Sequence, residues 1–429
     1  MNYTQTLEFL FSSMPSFQEK GVCAYKPGLE RVTAFCRHLG NPQRNYFTIH
    51  VAGTNGKGSV SHMLASILQQ AGYRTGLFTS PHLSDFRERV RVDGEMISKQ
   101  KVVNFVDKHH DKMVELGLSF FEMTAALAFD YFAQSDCEVV VVETGLGGRL
   151  DATNIILPVV SVVTNVGLEH TDLLGDTLQK IAAEKAGIIK KSIPLVIGES
   201  NEKYNSVFEE VAAANKSRVI YAEQTFRLDE HHHEGCKQHF EVSRLRDNYK
   251  YSFELDLEGD YQWHNVVTAC TVADYLHEET PLTISRRAFI DGISNVVGET
   301  SLRGRWQTLQ TEPRVICDTG HNAHGLHYVT EQLKGLKCGK LYCVIGFVKD
   351  KNIDEILPMF PADAHYIFTQ AAIERAVDAE VLAAKAAEFG LQGEVVREVP
   401  KALARAKELA ATDDVIFVGG STFVVAEVI

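Results

Sequence analysis

Tyr46-Phe47-Thr48-Ile49-His50-Val51-Ala52-Gly53-Thr54-Asn55-Gly56-Lys57-Gly58-Ser59 is the stretch whose reading decides the fold. Its first half is short and β-prone, and its second half is a glycine-rich turn. Beyond it Val60, Met63, Leu64, Ile67 and Leu68 recur at i, i+3, i+4, i+7 and i+8, one face of a helix. Gly72 supplies a helix stop, and Thr75 to Thr79 reads as a second strand. Strand, turn, helix and strand make a βαβ unit, with parallel strands and a right-handed crossover. The glycines let backbone N–H groups converge on phosphate oxygens, and the helix start adds a positive dipole. Lys57 brings charge for β- and γ-phosphates, while Ser59 can bind phosphate or metal. The run departs from the common P-loop pattern: Val51 stands where the first glycine would be, and Gly58 separates lysine from serine. A nucleoside triphosphate site is expected, with a structural glycine turn as the alternative.

Outward from this unit the pattern repeats. Val139-Val140-Val141-Val142 is a continuous apolar run, as for a strand buried on both faces of a parallel sheet. Val159 to Val166 and Pro194 to Gly198 look similar, with helical stretches at Phe121 to Gln134 and Leu178 to Lys190. From Tyr221 to Leu257 the character changes: Tyr251, Phe253, Leu255 and Leu257 alternate with polar residues, an antiparallel strand exposed on one face. His231-His232-His233 falls among these strands. Three adjacent histidines cannot all face one ion from a strand, so an exposed hairpin tip is expected over a metal site. Past Ile293 short strands alternate with helical segments again. The expected fold is therefore α/β: a P-loop-type, largely parallel sheet domain with a small antiparallel segment over residues 1–296, then a smaller Rossmann-like α/β domain over 297–429.

At 429 residues the chain exceeds what one hydrophobic core supports, which also predicts two domains. Its 43 lysines and arginines against 56 acids give a net charge of −13, which argues against a general nucleic-acid or anionic-membrane binder. The longest apolar stretch, Ile155 to Leu168, is broken by polar residues and falls short of a membrane span. The N-terminus lacks the features of a signal peptide. Eight cysteines, among them Cys23 and Cys236, are scattered without a CxxC pair, as expected of reduced thiols in a cytoplasmic protein.

Several polar residues stand at strand ends. Glu143 terminates the valine strand and leads into Thr144-Gly145-Leu146-Gly147-Gly148-Arg149; an acid there, beside a phosphate loop, is placed for Mg²⁺. A solvated strand-end carboxylate is the bland alternative. His170, after the strand Val159 to Val166, is a candidate metal or phosphate contact or else a surface histidine. Lys185 by itself reads as a solvated helix lysine. Ser80 ends another strand, and Arg87, Arg89 and Arg91 alternate along a segment read as extended. Such a cationic patch suits a carboxylate-bearing substrate, or else guards an exposed strand edge.

The loop Gly53-Thr54-Asn55-Gly56-Lys57-Gly58-Ser59 resembles the ATP loop of the Mur ligase superfamily. Leu39-Gly40-Asn41-Pro42-Gln43, Ser80-Pro81-His82-Leu83, Glu143 through Asn154, His170-Thr171-Asp172, Glu184 through Ile188, Gly304-Arg305, Asp318 with His321-Asn322, and Asp350-Lys351 narrow it to the folylpolyglutamate synthase/dihydrofolate synthase family. The resemblance spans almost the whole chain. It implies an ATP-dependent amide ligase: ATP phosphorylates a carboxylate, the glutamate amine attacks the acyl phosphate, and phosphate leaves. Carried over by motif, Gly53, Asn55, Gly56, Lys57, Gly58 and Ser59 hold the phosphates, with Asn265, Arg305, Asp318 and His321 as further nucleotide contacts. Ser80, Glu143 and His170 resemble the family's Mg²⁺ ligands, for two ions, and Lys185 resembles a residue that helps hold the second once modified. Lys185 matches a lysine the family carbamylates, which would replace its cation with a carboxylate. This sequence departs from the family at Tyr261, where a histidine is usual, and at Thr319, Gly320, Ala323 and Asn352.

Phe120-Phe121-Glu122 and Gly148 through Asn154 resemble the branch accepting dihydropteroate as well as folate. Phe121 is expected to stack on a pterin or aryl ring, Asp151 to bond its amino-pyrimidine edge, and Arg149 to contact substrate. The expected activity is dihydrofolate synthesis combined with polyglutamylation, with ATP, L-glutamate and dihydropteroate or reduced folate as partners, in a cytoplasmic monomer. Both substrates must reach the ATP loop, so the site is expected in a cleft between the domains. A cell-wall Mur ligase is the rival within the superfamily. A nucleotide switch is the rival outside it, disfavoured because Asn215-Lys216-Ser217-Arg218 ends in arginine where a guanine-reading acid belongs.

Overall fold

The computed structural model describes residues 1–12, 28–235 and 237–429. Cys23 and Cys236 lie outside the described residues. The chain divides into two compact units, one of Met1–Glu234, Gln238–Asp256 and Trp263–Ser301, the other of Gly235–Lys237, Leu257–Gln262 and Leu302–Ile429.

The first unit is built on an eight-stranded sheet of β1 (Phe47–Ala52), β2 (Thr75–Phe78), β3 (Val90–Val92), β4 (Glu95–Met96), β5 (Val139–Glu143), β6 (Val160–Val163), β7 (Leu195–Ile197) and β8 (Val219–Tyr221). The spatial order is β4-β3-β2-β5-β1-β6-β7-β8. The pairs of β1, β2 and β5 to β8 are parallel, and β3 and β4 form an antiparallel edge. All five residues of β5 are buried, which is why that strand is a run of valines with no polar face. β1 and β5 pair with His50 opposite Val142 and Val51 opposite Glu143. This register sets the start of the phosphate loop beside the strand-end acid.

Helices Lys57–Gln70 and Phe120–Gln134 begin and end where local chemistry directs. The second starts at Ser119, whose hydroxyl accepts from Glu122 N–H while the Glu122 carboxylate accepts from Ser119 N–H. A smaller antiparallel sheet follows, of β9 (Phe226–Glu234), β10 (Lys237–Arg244) and β11 (Tyr249–Leu255) in the order β11-β10-β9. His231 to His233 lie on β9 itself. His231 is half-buried and stacks on Phe240, with ring centres 4.7 Å apart, and its two neighbours are exposed.

The second unit has a six-stranded sheet of β12 (Gln307–Thr311), β13 (Arg314–Cys317), β14 (Leu341–Ile345), β15 (His365–Gln370), β16 (Gly393–Glu398) and β17 (Val415–Gly419), ordered β12-β13-β17-β14-β15-β16. It is parallel except for the β12–β13 pair. Its core joins Ile316, Cys343, Ile345, Tyr366, Phe368 and Phe417 to Leu326, Val329 and Leu382 from the helices. The fold is thus the mixed α/β architecture expected.

Two local expectations change. The helix read to Lys190 ends at Ala186, where Gly187 follows. The segment around Arg87 is no extended strand: Asp85 caps a 3₁₀ turn over Phe86–Arg89, and only Arg91 lies on a strand. No helix among the described residues is long and apolar enough to cross a membrane. The six described cysteines are unbridged, five of them buried.

Candidate active site

The phosphate loop leaves β1 at Gly53, with φ of 155°, and enters its helix at Gly56, with φ of 80°. Gly56 leaves no room for a side chain: a Cβ there would lie 2.2 Å from Asn265 Oδ1. Asn265, expected to contact the nucleotide, is buried against this loop. The segment after β6 braces the loop from the other side. Thr54 N–H donates to Asn165 O at 3.1 Å, and Asn55 N–H to Asn165 Oδ1 at 2.9 Å. The helix that starts at Lys57 has Gly56 as its N-cap and so makes no side-chain cap bond from that position, a start that suits an anion-binding terminus. Gly58 and Ser59 lie in that first turn.

Two lysines converge on one carbonyl of this loop. Lys57 Nζ donates to Gly53 O at 3.1 Å and to Thr54 O at 3.0 Å, and Lys185 Nζ donates to the same Gly53 O at 2.7 Å. Lys185 is only 2% exposed, which overturns its reading as a solvated helix lysine. Burial, followed by the Lys57 charge, pushes its amine down to about 7, with the Glu169 carboxylate acting in the opposite direction. His170 stands next to Glu169 in the left-handed region, with its Nε2 3.9 Å from a Glu169 oxygen.

Glu143, at the end of β5, is buried, and its Oε2 accepts from Ser80 N–H at 3.0 Å. Metal candidates from two adjacent strands therefore meet. The Glu143 charge also acts on Arg89, a buried guanidinium whose Nε donates to His82 Nδ1 at 2.8 Å and which lies over the Phe120 ring. The expected arginine patch is corrected here. Arg89 and Arg91 are buried, and Arg87 forms a forked pair with Asp85, so the three do not line one exposed face.

The loop after Glu143 is tightly organised. The Phe121 ring packs on Gly145, where a Cβ would fall 2.5 Å from the ring. Asp151 is corrected as a direct contact to a pyrimidine edge. Its carboxylate, 4% exposed, accepts from Gly145 N–H at 2.8 Å, Leu146 N–H at 2.9 Å, Thr153 N–H at 3.0 Å and the Thr153 hydroxyl. These four donors fill the two oxygens. Arg149 reaches Glu184 Oε1 through Nη2 at 2.8 Å, one residue before Lys185.

In the second unit Asp318 directly follows β13 and is buried. It accepts from Tyr261 OH at 2.6 Å, Trp306 N–H at 2.7 Å and Gly320 N–H at 2.6 Å. Tyr261, standing where the family has histidine, thus anchors the expected nucleotide acid. Arg305 donates to Thr319 Oγ1 and Gly304 O. His321 Nδ1 lies 2.9 Å from Thr319 O; a carbonyl only accepts, so that nitrogen carries the proton.

Comparison with known proteins now bears on this arrangement. Residues 51–273 match the Mur ligase middle domain, and residues 304–422 match the Mur ligase glutamate ligase domain. A dihydrofolate synthase/folylpolyglutamate synthase of Bacillus subtilis is 33% identical, with 80% of each chain covered. The chain belongs to the folylpolyglutamate synthase/dihydrofolate synthase family of Mur ligases. Among solved structures, Escherichia coli FolC in complex with DHPP and ADP is 31% identical with a TM-score of 0.87, covering 100% of this chain and 97% of that one. A bifunctional folylpolyglutamate synthase/dihydrofolate synthase with Mn, AMPPNP and L-glutamate bound is 29% identical with a TM-score of 0.84, covering 100% and 97%. The chain spans about half the length of two longer relatives, from Haloferax volcanii (50%) and Halobacterium salinarum (49%), each named "Probable bifunctional folylpolyglutamate synthase/dihydropteroate synthase".

Sequence reasoning passed over Asn165, Glu169 and His50, and it read Arg89 as part of an exposed patch where the structure buries it. Asn165 and His50 did leave a signal: each is a polar residue set in or directly after a buried apolar strand, where it needs a partner.

Proposed function

We propose that this chain is an ATP-dependent amide ligase that joins L-glutamate to dihydropteroate and to reduced folates through an acyl phosphate. The observation that carries this reading is the convergence of Lys57 and buried Lys185 on Gly53 O, in the loop that follows the strand paired with the one ending at Glu143. Lys57 and the helix N-terminus offer the charge and N–H donors for the β- and γ-phosphates. Asn55, Gly56, Gly58 and Ser59 complete that cradle, and Asn265, Arg305, Asp318 and His321 are assigned to the nucleotide. Phe121 is assigned to the flat ring of the carboxylate substrate. Asp151 serves it indirectly by shaping the loop, and Arg149 supplies positive charge nearby.

Mg²⁺ is the assigned metal, with two ions. Glu143 and Ser80 give it the hard oxygen donors it prefers, with His170 as a further contact. An amine on Lys185 does not fit that donor set. Its addition to CO₂, with loss of one proton, yields a carbamate whose oxygens do. Bound Mg²⁺ would neutralise the charge of the transferring phosphoryl group. Residues 1–296 are assigned the phosphate and metal chemistry and residues 297–429 the glutamate-ligase part, in a cytoplasmic monomer acting on small molecules.

The experiment is a substrate comparison. With ATP, Mg²⁺ and glutamate, the purified chain should release ADP and phosphate when given dihydropteroate, and again when given tetrahydrofolate. Turnover on tetrahydrofolate alone would leave a polyglutamate synthase only. Turnover on a UDP-muramoyl peptide instead would move the chain to the cell-wall ligases.

A further inference from the structure

His50 is an imidazole on the central strand β1, fully buried, three residues before the phosphate loop. Burial, with the Lys190 charge next, pushes its pKa down to about 3, so the ring is neutral at physiological pH and has one N–H. Its Nε2 lies 2.8 Å from Thr153 Oγ1, across 103 residues of sequence. The Thr153 hydroxyl has one proton, and that proton goes to Asp151. The hydroxyl must therefore accept from His50, which puts the imidazole proton on Nε2. His50 Nδ1 has no hydrogen-bond partner among the described residues. The one hydrogen bond this buried ring makes among the described residues thus leads to Thr153.

That path continues. Asp151 holds the N–H groups of Gly145 and Leu146, and Gly145 is the floor on which the Phe121 ring packs. Gly145 also follows Glu143 by two residues, and Thr144 N–H is bonded to Val51 O on β1. We propose that His50 and Thr153 are positioning residues which, through Asp151, fix the Gly145 floor under Phe121 relative to the phosphate-loop strand. They thereby set the affinity for the ring-bearing substrate without touching it. The assignment of Phe121 to that substrate rests on the function proposed above; the relay itself does not.

Two readouts separate these parts. In His50→Leu and Thr153→Val, amide hydrogen exchange at Gly145 and Leu146 should quicken about tenfold or more, while His50→Gln and Thr153→Ser, which keep a donor or hydroxyl, stay near wild type. Unchanged exchange in His50→Leu and Thr153→Val would overturn the relay. In steady-state kinetics His50→Leu should raise KM for dihydropteroate about tenfold, leave KM for ATP within about twofold, and do so equally from pH 6.5 to 8.5, because a neutral imidazole does not titrate there. A parallel rise in KM for ATP, or a His50→Gln variant no better than His50→Leu at equal Tm, would overturn the substrate role. Wild-type protein inert toward dihydropteroate and folates would refute the proposed function instead, and the exchange data would still decide the relay.

Discussion

Glu143→Gln is expected to lose about 10³-fold or more in kcat while the protein still unfolds cooperatively. The substitution keeps the shape of the side chain and can still offer an oxygen to Ser80 N–H, now held at 3.0 Å. What it removes is the negative charge at the end of β5. The proposed function makes that charge the carboxylate donor to Mg²⁺, and the same charge favours the buried Arg89 guanidinium. Loss of the first stops neutralisation of the phosphoryl group. Loss of the second removes one of the negative charges that act on the buried Arg89, so some stability is expected to go as well. A kinetic assay on protein shown to be folded by circular dichroism makes the check. Wild-type turnover in that variant would remove Glu143 from the metal site.

Lys185→Ala is expected to lose about 100-fold in kcat and to recover part of it with formate or acetate. The side chain reaches Gly53 O from a buried position, where a full positive charge beside Lys57 is unfavourable. The lowered pKa has a direct chemical consequence, because only the neutral amine adds to CO₂. With the amine near 7, the neutral fraction is roughly one tenth at pH 6 and roughly nine tenths at pH 8, so carbamate occupancy should rise with pH across that window. A small carboxylate can enter the space left by alanine and supply the missing oxygens. Lys185→Arg should show no such recovery, since a guanidinium stays charged and fills the space. Carbon-13 NMR of protein equilibrated with labelled bicarbonate should give a carbamate resonance that Lys185→Ala lacks. If that signal is absent and carboxylates restore nothing, the lysine acts as a cation at the phosphates.

Much of this was legible in the sequence, for identifiable reasons. The phosphate loop declares itself because glycine spacing and a lysine at a helix start are local features, and β5 because a strand buried on both faces must be continuously apolar. Glu143 follows from its place at the end of that strand. Where the reading failed, the cause was a partner distant in sequence or a local cap overlooked. A lysine on a short helix looks solvated until Gly53, 132 residues away, is seen to receive it. Asp151 looks available to substrate until Gly145, Leu146 and Thr153 are found to occupy it. The alternating arginines suggested an extended, exposed edge, but Asp85 closes a capped turn and draws Arg87 onto itself.

The central claim is that a carboxylate is activated by ATP before glutamate attacks it. Dihydropteroate carrying oxygen-18 in its carboxylate tests this directly. Phosphorylation makes one labelled oxygen the bridge to phosphorus, and attack by the glutamate amine expels it with the phosphate. Mass spectrometry of the released phosphate should therefore find one labelled oxygen for each amide formed. Unlabelled phosphate accompanying amide formation would contradict the acyl phosphate and the account built on it.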